Sequence, residues 1–253
     1  MDLPRNHFKA AIRSGRHQLG FWCSLPGGYA AELVAGSGYD WLLFDTEHSP
    51  SDPIGVLEQL QAVAPYDVSA VVRPASNDPV LIKRILDVGA QTLLVPYVQS
   101  REEAEAAVAA MRYPPRGIRG VSGLTRATRF GRIPGYAKRA ESELCLLVQV
   151  ETGLALDRLE EIASVDGVDG VFIGPADLAA SLGYPGEPDH PDVAAAVENA
   201  ISRLKSLGKP AGILTANNTF ARRCIEIGTL FTAVGIDAGI LARGSEALAK
   251  SFR

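Results

Sequence analysis

The chain has 253 residues, 47% hydrophobic and 21% charged, ample material for a large buried core. Lys and Arg number 25 against 29 Asp and Glu, and the net charge of −4 gives no global electrostatic reason to bind nucleic acid or an anionic membrane. Cys23, Cys145 and Cys224 are odd in number and set in apolar surroundings, which points to core thiols in a reducing compartment rather than to disulfides or a thiolate metal site.

The first residues carry Asp2, Arg5, Lys9, Arg13 and Arg16 without a long apolar block, and no run approaches ~20 uninterrupted apolar residues. A cytoplasmic location is therefore expected. From there, strand-like apolar runs alternate with amphipathic segments. Strands are expected at 20–25, 41–47, 69–74, 92–98, 144–151, 170–174, 211–215 and 231–235. Helical patterns fall at 29–36, 79–88, 101–112, 155–163, 191–207, 219–227 and 241–252. Eight strand-then-helix units without an internal linker predict a (β/α)8 TIM barrel in one domain, residues 1–253.

That fold gathers the carboxyl ends of the strands on one face, so polar residues can be sorted by strand end. The second strand ends in FDTEHSP and delivers Asp45, Glu47 and His48; the third ends in VVRP with Arg73; the fifth gives Gln149 and Glu151. The sixth runs GVFIGPADLA into a helix start at Asp177. Glu151 closes an apolar run, where an unpartnered carboxylate is costly, so a cation is expected beside it. With Asp177 it can hold a divalent ion through oxygen ligands. A carboxylate pair without metal is the competing reading.

His48 can serve as a general acid or base near neutral pH, or as a hydrogen-bonded structural residue. Arg73 fits a structural ion pair as well as an oxyanion or carboxylate clamp. The Gly174-Pro175-Ala176-Asp177 turn opens a helix whose first amides face the same end, although Pro is common there for structural reasons alone. None of the six lysines sits at a strand end, which disfavours a Schiff-base mechanism, and no nucleotide-binding glycine motif occurs. The 114–139 insert carries Arg116, Arg119, Arg126, Arg129, Arg132, Lys138 and Arg139 with no acid. It reads as a solvated or subunit-facing surface, or as a source of arginines that read the distal end of a substrate.

The segments WLLFDTEHSP, VVRP, DVGAQTLLVPYVQ, RYPPRGIRG, VQVET and GVDGVFIGPADLA together resemble the HpcH/HpaI aldolase family of metal-dependent class II pyruvate aldolases, across essentially the whole chain. This resemblance implies reversible retro-aldol cleavage of 4-hydroxy-2-keto acids to pyruvate, or a close analogue such as hydroxypyruvate, and an aldehyde. It implies Mg²⁺, Mn²⁺ or Co²⁺ on Glu151 and Asp177, Gln149 and the Ala176 backbone on the substrate, Arg73 on the enolate, and His48 as acid and base. Asp87 is the histidine's partner by resemblance and Asp45 the better one by position, with action across a subunit boundary also implied. Family members form homo-hexamers, trimers of dimers, with the last helix exchanged between neighbours. A citrate-lyase-β-like CoA-ester lyase and a non-catalytic keto-acid or metal-binding protein are the alternatives.

Overall fold

Runs of Val, Leu, Ile and Phe buried on both faces become parallel strands, because helices cover one face and facing strands fill the other. The computed structural model describes residues 1–253 and holds eight such strands: β1 (Gln18–Cys23), β2 (Trp41–Asp45), β3 (Ser69–Arg73), β4 (Thr92–Val95), β5 (Cys145–Val150), β6 (Gly170–Ile173), β7 (Ala211–Leu214) and β8 (Phe231–Ile236). They pair in parallel in chain order, and β8 returns to β1 to close a barrel. Around it run α1 (His7–Arg13), α2 (Gly28–Ala35), α3 (Pro53–Ala62), α4 (Pro79–Asp87), α5 (Arg101–Met111) and α6 (Tyr136–Arg139). The second half adds α7 (Gly153–Asp157), α8 (Leu159–Ala163), α9 (Pro175–Ser181), α10 (Pro191–Ser206), α11 (Asn218–Ile227) and α12 (Asp237–Lys250). No helix is long and apolar enough to cross a membrane, and the three cysteines are free and buried.

The pleat sorts the core into two shells. Leu42, Phe44, Val72 and Val148 pack outward beneath the helices, while Trp41, Leu43, Val71 and Leu147 fill the barrel. Gly212 has no side chain because a Cβ there would collide with the ring of Phe231.

Three helices, α1, α3 and the four-residue α6, have no counterpart among the expected elements. The helix α3 starts at an Asp52 cap that accepts from the amides of Ile54 and Gly55, with Pro53 in its first turn, a start signal present in the sequence. The helix α1 closes the amino end of the barrel. Its Phe8 and Ile12 are fully buried, and Phe8 meets the rings of Trp41 and Phe231 edge-on at 5.8 Å each. Asn6 caps this helix by accepting from Lys9 N at 2.8 Å, and its amide donates to Thr92 Oγ1 at 2.9 Å and Glu143 O at 3.0 Å.

Elsewhere the expected 155–163 helix is broken at Arg158 into α7 and α8. The helix α12 begins at Asp237, immediately after β8, and leaves Ile240, Leu241 and Leu248 exposed.

The plug is testable. Phe8→Ala should lower unfolding free energy by about 3–5 kcal/mol in urea titrations, the usual cost of removing a buried aromatic ring. A loss below about 1 kcal/mol would show that the barrel floor closes without it.

Candidate active site

The register of β2 and β3 sets Asp45 directly beside Arg73 at the carboxyl end of the barrel. The two make a bidentate pair, Nε to Oδ1 at 2.8 Å and Nη2 to Oδ2 at 2.6 Å. Trp22, at the end of β1, donates from its indole to Asp45 Oδ2 at 3.3 Å and lies 4.8 Å beneath the guanidinium carbon. Burial pushes the Asp45 carboxyl up, but the Arg73 bonds outweigh it and hold it below its ordinary value. Glu47 approaches from the other side. Its Oε2 lies 2.7 Å from Arg73 Nη1, a second ion pair on the same guanidinium. A planar cation fixed by two carboxylates and a ring suits charge that develops on a substrate oxygen.

The second half of the site is built around Glu151, the residue after β5, which is only 2% exposed. Its Oε1 accepts from Tyr97 N at 2.9 Å, and Gln149 donates its side-chain amide to Oε2 in a very short contact. Tyr97 can deliver that N–H because its backbone is left-handed, φ 55°, an uncommon state for a bulky residue. Gly174 opposes Glu151, and a Cβ there would collide with Oε2. Burial, then the neighbouring charge of Asp177, raises the Glu151 carboxyl to about 7. Gln149 Oε1 is buried without a partner.

A cavity of about 450 Å³ opens at this end of the barrel, lined among others by Trp22, Asp45, His48, Arg73, Gln149 and Ala176. Asp177 stands in the first turn of α9, exposed to the mouth. His48 is exposed as well, its side chain 67% accessible and its Nε2 3.9 Å from Glu47.

The structure thus brings Asp45, Arg73, Gln149, Glu151 and Ala176 to one end, with His48 and Asp177 at the rim. It does not bring an aspartate to the His48 ring within the chain. Asp45 is taken by Arg73 and touches His48 only through the backbone amide at 3.5 Å. Asp87 closes α4 and pairs with Arg119 at 2.8 Å. Glu47, Trp22 and Tyr97 were given no role from sequence. Glu47 stands in the same FDTEHSP run, whereas nothing local announces Tyr97.

Four carboxylates, Asp45, Glu47, Glu151 and Asp177, share this end with one guanidinium, which pairs only with Asp45 and Glu47. No three His, Cys, Asp or Glu side chains converge as a ready-made metal cage. Glu151 and Asp177 nevertheless fit a hard divalent cation whose remaining positions go to water and substrate oxygens, because such ions accept few protein ligands. The charge excess and the strained carboxylate ask for a cation here.

The HpcH/HpaI aldolase/citrate lyase family model matches residues 18–243. A pyruvate aldolase of Rhizobium etli is 73% identical over 252 residues, covering 100% of this chain and 99% of the relative. A hydroxypyruvate/pyruvate aldolase of Sagittula stellata is 61% identical, covering 95% of each. The crystal structure of a family protein from Burkholderia cenocepacia superposes with a TM-score of 0.94 at 38% identity, covering 98% of this chain and 99% of that one.

Two outcomes follow from Glu151. Its folded carboxyl titrates near 7 against 4.5 for a free side chain. The folded, metal-free protein therefore holds the extra proton between those values and should lose stability as pH rises from about 4.5 to 7. Chemical denaturation across that window should show the decline, and Glu151→Gln should flatten it; an equal slope in the variant would assign it to other groups. Separately, Tyr97→Gly should keep Mn²⁺ affinity, since glycine adopts positive φ freely. Tyr97→Val should weaken it ~10–100-fold by calorimetry, as loss of an outer-sphere contact does. Equal affinity in both variants would mean that the left-handed amide is dispensable.

Proposed function

The chain belongs to the HpcH/HpaI aldolase/citrate lyase family, and from that premise we propose a class II pyruvate aldolase in which Glu151 and Asp177 hold the metal. It is a carbon–carbon lyase that cleaves 4-hydroxy-2-keto acids reversibly into pyruvate, or an analogue such as hydroxypyruvate, and an aldehyde. The observation that carries the reading is the pairing of a buried, cation-seeking carboxylate with a fixed arginine at one end of the barrel.

A bound divalent ion, Mg²⁺, Mn²⁺ or Co²⁺, supplies Lewis acidity that polarises the keto group. The rest falls to the chain. Arg73, whose guanidinium lines the cavity, faces the oxygen that becomes anionic when the carbon–carbon bond breaks. Because Asp45 and Trp22 already hold the guanidinium in place, no reorganisation is required at that moment. Gln149 steadies Glu151 and offers its unpartnered carbonyl to the substrate. The Ala176 amide, in a first helical turn with no intrahelical acceptor, meets the substrate carboxylate. His48 takes the C4 hydroxyl proton in cleavage and returns one in addition. Its exposure suits a group that exchanges protons with each turnover. Asp45 acts on the reaction through Arg73. Asp87 reaches a histidine only in an assembly.

The reading extends to a cytoplasmic homo-hexamer, a trimer of dimers, with α12 exchanged between neighbours. The apolar side chains of Ile240, Leu241 and Leu248, exposed in the single chain, support it.

Exchange of pyruvate methyl protons with deuterium, followed by NMR without an aldehyde, isolates enolate formation. EDTA should abolish it and Mn²⁺ restore it, and Arg73→Lys should slow it by ~10²–10³-fold with pyruvate still bound, because an ammonium lacks the planar fork. Full exchange in rigorously metal-free protein would refute the metal's role; wild-type rates in Arg73→Lys would refute that of the arginine.

A further inference from the structure

A second and larger cavity, about 990 Å³, lies at the opposite end of the barrel, against the amino ends of β5 and β6. Its walls come from α1, the end of α5 and the residues after it, α6 with the turn that follows, and the 164–169 connection. Seven cationic and four acidic side chains line it, so it is electropositive in a chain whose net charge is −4.

The local carboxylates are already engaged. Asp169 takes Arg13 at 2.8 Å and Lys9 at 3.5 Å, while Glu141 and Asp166 are shared between Arg112 and Arg116. Glu143 accepts from the amide of Asn6. Three cations remain with no carboxylate within 4 Å: Lys138, Arg139 and Lys209. Arg139 and Lys209 reach only backbone carbonyls, of Pro134 at 3.3 Å and Val168 at 2.6 Å. Burial pushes the Lys209 ammonium below its ordinary value, which is the direction an undercompensated cation takes.

The chemistry of the lining narrows the ligand. No aromatic side chain borders the cavity, so it offers no platform on which a base or ring could stack. Guanidinium and ammonium groups spread over several elements instead match multiple phosphate oxygens.

We propose that this cavity is a second ligand site, remote from catalysis, for a compact organic bisphosphate. Lys138, Arg139 and Lys209 are its principal anchors. It places the spare charge of the 114–139 insert at the end of the barrel away from the chain's own catalytic cavity.

Calorimetric titration of fructose 1,6-bisphosphate into the full-length, Mg²⁺-loaded protein tests it, with NaCl held constant. Saturable one-to-one binding is expected, weaker for inorganic phosphate. Lys138→Glu with Arg139→Glu should cost at least ~tenfold in affinity, the scale of one lost charge-assisted contact. Lys209→Gln should weaken it as a separate variant, and Arg73→Ala should leave it unchanged. Absence of saturable binding would overturn the proposal. So would binding lost in Arg73→Ala but kept in the double variant, which would seat the anion at the catalytic end. A double variant that alters the sedimentation of the assembly while binding the bisphosphate normally would show the cavity to be a contact between copies.

Discussion

A carboxylate buried beyond the reach of any cation in its own chain is the constraint around which this barrel's catalytic end is arranged. Glu151 receives only neutral donors, the Tyr97 amide and the Gln149 side chain. Three consecutive strands yield to it. After β4 the backbone adopts a left-handed turn to aim an N–H, β5 carries the amide two residues earlier on the same face, and the residue after β6 is a glycine because no side chain fits against the oxygen. A protein that spends this much local conformation on one acid without neutralising it has left room for an external charge.

The arginine half obeys the opposite rule. Asp45 and Arg73 neutralise each other in a bidentate pair that the strand register imposes, and the indole beneath removes the remaining freedom. Removing either partner leaves a buried charge, so their mutual dependence is stronger than the net worth of the pair. The site thus combines a satisfied cation with an unsatisfied anion, one rigid and the other awaiting completion. His48 and Asp177, at the solvent edge, belong to neither.

Strand positions were legible because each buried run is bounded by turn residues and followed by a helical period. Even so, β4 stops at Val95 rather than 98, since the turn at Tyr97 depends on a carboxylate more than fifty positions along the chain. Glu151, Asp177, Arg73 and His48 could be picked out because the fold dictates that strand ends converge. Glu47 stood among them, but its closeness to Arg73 follows from how a loop folds back, which spacing does not encode. The 114–139 segment resisted reading for a related reason. It lacks a helical or strand period, so its cations look alike, yet Arg119 is buried against Asp87 and stacked 4.6 Å from Tyr113 whereas Arg116 and Arg139 line a cavity at the amino end.

The helix that seals the barrel floor also imposes a chronology. Its anchors are all remote: Asn6 binds Thr92 and Glu143, Lys9 binds Leu144, and Arg13 binds Asp169. During synthesis this segment leaves the ribosome before its partners and has nothing to dock on until β4, β5 and β6 have followed. The ring of Phe231 against Phe8 must wait for the final strand. Loop-closure entropy falls due before such distant contacts repay it, so seating of the N-terminal helix is a late, ring-completing event. Until then Phe8 and Ile12 travel as an exposed apolar tag open to chaperones.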